Sequence, residues 1–190
     1  MGWPKLSLPL GDSTVLERVV AALRDGGVGR VLVVIGPHVP GLAPLAERAG
    51  AVPLLLPGPT PDMRATVERG LEWAERHWAP SPRDGWLLVP ADHPALSGEV
   101  VRRLCEAWGR RGDRSVVVPT FRGKRGHPTL IGWEHVAGIR ALPAGVGLNV
   151  YLRDKSAETL EVEVDTDAIL ADLDTPEDYE RLNRPGGCRG

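Results

Sequence analysis

The run RVLVVIG at positions 30–36 constrains this chain more than any other stretch. It is dominated by β-branched and aliphatic side chains and shows no polar alternation. That composition describes a strand buried on both faces, and such strands belong to parallel sheets covered by helices on either side. The flanking sequence has the matching rhythm. Thr14-x-x-Glu17 has capping-box spacing ahead of an apolar stripe of Val15, Val19, Val20 and Leu23, and Gly26-Gly27 ends that helix. After the strand, the alternation repeats as a short helix over 42–49, strand AVPLLLP, a longer helix over 61–77, strand WLLVPA, a helix over 97–108 and strand SVVVPT. The expectation is an α/β fold: a three-layer α/β/α, Rossmann-like domain with a mostly parallel, mixed sheet. Beyond Thr120 the pattern changes. FRGKRGHPTLIG reads as a Gly-punctuated loop leading into a strand, followed by a helix over 133–142, a short helix around Leu148, an EVEV strand and a last helix from Thr175. Neither repeats nor a linker interrupt the chain, so one domain is expected over 1–182 with a flexible tail over 183–190.

Bulk properties remove several classes of function. A net charge of −2 excludes a strongly basic nucleic-acid protein, and no apolar run reaches bilayer length, so neither nucleic acid nor membrane is expected as a partner. The expected location is the cytoplasm. The only two cysteines, Cys105 and Cys188, supply neither a disulfide framework nor a CxxC metal site.

Ligands of open α/β sheets bind outside the carboxyl ends of the strands, where loop amides and helix N-termini converge. Three loops are placed there. GPHVPG, with His38, reads first as a Gly/Pro turn. PGPTPDMRATVERGL opens a helix whose Met63, Val67, Leu71 and Ala74 share one face; its interior Gly70 costs about 1 kcal/mol against alanine, so a close approach is one explanation for it. WLLVPADHPAL is the sharpest. It carries a strand directly into Asp92-His93-Pro94 and sets a carboxylate at the strand's carboxyl end. Mg²⁺ uses one or two such carboxylates together with substrate phosphates, whereas a structural Asp would accept loop amides; position alone leaves both open. His93 is expected to face solvent. In ILADLDTPEDYERL, Thr175 caps the last helix and Glu177 and Asp178 suit its positive end, which leaves Asp172 and Asp174 unexplained; one of them is expected to face Asp92.

Three segments in order, LLVPADHPALSGEVVRRL, VVVPTFRGKRGHPTLIGWEHV and ILADLDTPEDY, resemble the MobA/MocA-like NTP transferases. The RGHP and DxDTPED motifs are particularly similar to the cytidylyltransferase branch. Asp62, Met63, Thr66, Gly70 and Leu71 resemble the family's nucleotide-side Gly-Met-x-x-Ser-x-x-x-Gly-Leu segment, with Asp62 and Thr66 as departures. The family's opening strand and LAAGxSxRMGxPK phosphate loop are matched only from Met1-Gly2-Trp3-Pro4-Lys5 onward. The expectation is therefore a shortened form of an enzyme that lacks its first, central strand, with open sheet edges; a degenerate, non-catalytic member is the alternative.

The resemblance implies transfer of CMP from CTP to the terminal phosphate of a molybdopterin-type cofactor, with release of pyrophosphate. A guanylyltransferase using GTP, a sugar-nucleotide transferase or a non-catalytic cofactor-binding protein is the alternative. A molybdoenzyme or its chaperone is a further candidate partner. On this reading Asp92 holds Mg²⁺ with Asp172 or Asp174 in support, and Lys5 contacts the phosphates. Met63 and Thr66 lie on the nucleotide side. Gly126, His127 and Pro128 shape the acceptor side, where Arg122, Lys124 and Arg125 could meet an anion. Trp73, Trp78 and Trp108 lie on helices and are assigned to packing, and no tryptophan is assigned to base recognition.

Overall fold

The computed structural model describes residues 5–183; the segment matched to the phosphate loop before Lys5, and the expected tail beyond Asn183, lie outside the described residues. The chain opens with a single 3-10 turn, Lys5–Ser7, and a small antiparallel ribbon of β1 (Pro9–Leu10) and β2 (Ser13–Thr14). Thr14 then starts α1 (Val15–Asp25) with the expected capping box. Its hydroxyl accepts the Glu17 N–H, and the Glu17 carboxylate accepts the Thr14 N–H at 2.8 Å.

β3 (Leu32–Ile35) follows, then α2 (Ala43–Arg48) and β4 (Val52–Leu55), which pairs parallel to β3. α3 (Met63–Trp78) is capped by Asp62, whose carboxylate accepts the Ala65 N–H at 2.8 Å. The departure from the family's glycine at that position therefore has a local purpose. β3 divides its side chains between two layers, as a strand between helices must. Val31, Val33 and Ile35 join the core cluster that contains Leu16, Val20 and Leu23 of α1. Leu32 and Val34 face α3 instead: a β-carbon on Gly70 would lie 2.9 Å from Val34 Cγ2. Close packing of helix on strand thus accounts for Gly70.

The second block holds β5 (Gly85–Leu88), α4 (Gly98–Gly109), β6 (Val116–Phe121), β7 (Lys124–Arg125), β8 (Thr129–Gly132), α5 (His135–Arg140), α6 (Leu148–Asp154), β9 (Thr159–Glu163) and α7 (Pro176–Asn183). β9 lies parallel to β6, while β8 runs antiparallel between β5 and β6. The reversal comes from the turn after β6. Arg122 and Gly123 have φ of 49° and 76°, and two successive positive values send the chain straight back as a hairpin. The result is a three-layer α/β/α, Rossmann-like fold with a mixed sheet.

Among the described residues, β3 pairs only with β4 and β5 only with β8, so the two blocks share no backbone pairing. On their other sides β3 and β5 have no backbone partner among the described residues. No described helix is long and apolar enough to cross a membrane.

Candidate active site

The site forms where the extension of β5 meets both ends of the described chain. Beyond Leu88 the chain runs through Val89-Pro90-Ala91 to Asp92, whose side chain is 24% exposed. The segment before α7 crosses it: the Leu173 N–H donates to the Asp92 carbonyl at 2.9 Å. Leu173 is fully buried while Asp172 and Asp174 on either side are exposed, so both acids share the outward side. Asp174 is then fixed from its other flank. Its N–H donates to the Asp178 carboxylate, which also accepts the N–H and hydroxyl of Thr175. Those hydrogen bonds, led by the Thr175 hydroxyl, push Asp178 down to about 2. Asp178 therefore serves the α7 cap and the placement of Asp174 together.

Lys5 arrives from the opposite end of the chain. Its Nζ donates to Asp92 Oδ2 at 2.6 Å and to Asp174 Oδ1 at 2.9 Å. Burial opposes this ammonium's charge, but the two carboxylates outweigh burial and raise its pKa above the ordinary lysine value. Tyr179 of α7 donates its hydroxyl to the Pro9 carbonyl and ties the N-terminal segment to the same corner. Lys5 was expected on phosphates; in the structure it holds the two carboxylates together. Asp174, rather than Asp172, is the acid brought to Asp92.

His93 departs from expectation. It is 7% exposed rather than solvent-facing, and its Nδ1 lies 3.2 Å from Asp92 Oδ1. The hydrogen bond from His93, joined by that from Lys5, holds the Asp92 carboxyl well below the usual range despite burial. The ring of His93 meets the ring of His127 edge-on, with centroids 5.2 Å apart. Burial first, and then the proximity of His93, keep the His127 imidazole below its ordinary pKa.

The Gly126-His127-Pro128 segment is held against the chain that leads to Asp174. His127 N–H donates to the Ile169 carbonyl at 2.8 Å, and a β-carbon on Gly126 would fall 2.3 Å from that same oxygen. Only glycine fits there. Arg125 is ion-paired to Glu161 at 2.8 Å, and the Glu163 carboxylate accepts the Arg122 N–H, so this hairpin is braced against β9.

Met63 and Thr66 sit at the N-terminus of α3, beyond the carboxyl end of β4. Met63 is 67% exposed, and the Thr66 hydroxyl bonds to Thr60 and to the Asp62 carbonyl. The Thr66 partners are thus local to the start of α3, and neither of them is Asp92. Three of the tryptophans make ring contacts of packing type: Trp73 stacks on His77 and meets Trp78 edge-on, and Trp108 lies beneath Arg111.

No group of three or more potential metal-ligating side chains occurs among the described residues. Two carboxylates with an ammonium between them nonetheless suit a cation. Lys5 Nζ marks a point that both carboxylates reach, and a pair of acids completed by substrate phosphates and water is the donor set Mg²⁺ and Mn²⁺ accept.

The profile of the MobA-like NTP transferase domain matches residues 1–160. Phosphoenolpyruvate guanylyltransferase of Rubrobacter xylanophilus is 32% identical over 179 residues, covering 92% of this chain and 80% of that protein. Molybdenum cofactor guanylyltransferase of Nitrobacter hamburgensis is 30% identical over 154 residues, covering 73% of this chain; the match spans 62% of that relative, under two thirds of its length. The crystal structure of the Rv0371c protein of Mycobacterium tuberculosis H37Rv in complex with manganese superposes with a TM-score of 0.76 at 22% identity, covering 95% of this chain and 92% of that one.

Proposed function

We propose, since this chain belongs to the MobA-like NTP transferase family, that it transfers a nucleoside monophosphate from a nucleoside triphosphate to a phosphate group of a small acceptor, releasing pyrophosphate. The observation that supports the proposal is the Lys5 ammonium held between the Asp92 and Asp174 carboxylates at the carboxyl end of the sheet. The donor we favour is GTP, because both curated relatives are named guanylyltransferases. Their different acceptors leave the class open as a phosphorylated small molecule, either a pterin cofactor or an enolic acid phosphate. CTP with a molybdopterin-type acceptor is the second reading, favoured by the RGHP and DxDTPED motifs.

In the proposed step an oxygen of the acceptor phosphate forms a bond to the α-phosphorus, the bond to the β-phosphate oxygen breaks, and its electron pair leaves with pyrophosphate. No side chain has to act as nucleophile, so the chain's work is alignment and charge neutralisation. Asp92 and Asp174 would hold a divalent cation, Mg²⁺ or Mn²⁺, which when bound neutralises and orients phosphate oxygens. Lys5, displaced from the carboxylates, is within reach of the incoming phosphates as a point charge. Gly126 and His127 border the side from which an acceptor would enter.

Calorimetric titration with GTP, CTP and UTP in the presence of Mn²⁺ tests this reading. Preferential binding of GTP supports the guanylyl reading and preference for CTP the second one. Equal indifference to all three refutes both.

A further inference from the structure

From the geometry around Asp92, we infer that His93 is a positioning residue: it fixes one oxygen of the Asp92 carboxylate so that the other is presented to the cation. The inference rests on the proposed cation site and adds a residue to it. An ionised carboxylate can only accept hydrogen bonds, so the 3.2 Å contact requires the proton on His93 Nδ1. That bond ends on Oδ1, whereas Lys5 binds Oδ2. The two oxygens of Asp92 are therefore divided between a buried donor and the cation position. A carboxylate free to rotate would have to be ordered when the cation binds; one already held does not.

His93 is itself held. It is 7% exposed, its carbonyl accepts the Leu96 N–H at 3.1 Å, and its ring meets His127 at an interplanar angle of 82°. His127 is in turn anchored through its N–H to the Ile169 carbonyl, on the same segment that leads on to Leu173 and Asp174. One continuous set of contacts thus runs from the Gly-His-Pro loop through two imidazoles to Asp92, and returns through Ile169 to Asp174. Both carboxylates are oriented by one framework.

The test is Mn²⁺ binding to the full chain, read from loss of the free-ion signal in electron paramagnetic resonance, with no substrate present. His93→Phe keeps the ring that packs on His127 and removes the donor. His93→Asn keeps a donor near the Nδ1 position. The expected result is Mn²⁺ binding weakened by about 10-fold or more in His93→Phe, in the range typical of lost outer-shell partners, and within about threefold of wild type in His93→Asn. Wild-type affinity in His93→Phe overturns the inference. Nitrogen coupling from a histidine bonded directly to Mn²⁺ also overturns it, because His93 would then be a ligand. Asp92→Asn is the control that separates the two levels. If it binds Mn²⁺ as wild type does, the cation site fails and the inference with it; if it loses binding while His93→Phe does not, only the inference fails. Should His93→Phe not fold, His93→Asn against His93→Gln carries the test, since the glutamine amide does not reach the Nδ1 position. Tighter binding by the asparagine variant supports positioning, and equal binding overturns it.

Discussion

Replacing Lys5 by methionine removes the ammonium and keeps most of the stem. The Asp92 contact is short, at 2.6 Å, and its carboxylate is only 24% exposed; the Asp174 contact, at 2.9 Å, ends on a carboxylate 62% exposed. A charge-assisted hydrogen bond of the first kind is worth about 1.5 kcal/mol net, and an exposed pair of the second kind about 0.5 kcal/mol. The variant should therefore lose about 2 kcal/mol. For a chain of this size that lowers the melting temperature by about 4–8 °C. The change leaves two like charges facing a common point, so the deficit should shrink as NaCl is raised from about 20 mM to 0.5 M. A divalent cation can then occupy the vacated position without competing with Lys5, and millimolar Mn²⁺ should raise the variant's melting temperature more than it raises wild type's. Thermal unfolding followed by circular dichroism, at both salt levels and with and without Mn²⁺, reads all three effects. A variant as stable as wild type at low salt, with the same Mn²⁺ response, refutes the claim that Lys5 occupies the cation position.

Two further predictions concern the framework. Gly126→Ala brings a β-carbon to 2.3 Å from the Ile169 carbonyl and disturbs the neighbouring His127 hydrogen bond, so urea unfolding should show a loss of about 2–4 kcal/mol; a loss under about 0.5 kcal/mol would contradict the close approach. His135 is 4% exposed between Ser115 and Tyr151, and burial lowers its pKa. The unfolded chain binds that proton more readily, so stability is complete above about pH 6.5 and falls as pH drops through the window below it. His135→Gln should lose less stability than wild type between about pH 7.5 and 5.5, with His127 leaving a residual slope; an identical slope refutes the assignment.

The elements that were legible in the sequence owe their form to local chemistry. RVLVVIG contains β3 because its residues suit a strand between two helical layers, and Thr14, Ser97 and Thr175 mark helix starts because a side-chain oxygen there accepts the first orphan amides. Asp92 was legible for the same reason: a strand leads to it. The insertion of β8 between β5 and β6 was not, because it depends on a hairpin and on pairing partners far apart in sequence. Nor was the choice of Asp174, which follows from the burial of Leu173 and the hold of Asp178 on the Asp174 amide. Lys5 reaches its two partners across 87 and 169 positions of chain, and no spacing rule connects them. The burial of His93 is not legible either, because adjacency to Asp92 says nothing of burial; its second contact, His127, comes from another loop. The nearest signal was chemical: two histidines, each followed by proline, in loops that the fold brings to one corner.

In the proposed function, Asp92 holds the cation on which nucleotidyl transfer depends. The most direct test of that role is the rate of pyrophosphate release from GTP and from CTP, each with Mg²⁺ and a phosphorylated acceptor, compared between wild type and Asp92→Asn of matched thermal stability. The account predicts release by wild type and a fall of at least about 10²-fold in the variant, the scale on which loss of a charge-stabilising group acts. Undiminished release by Asp92→Asn would contradict it.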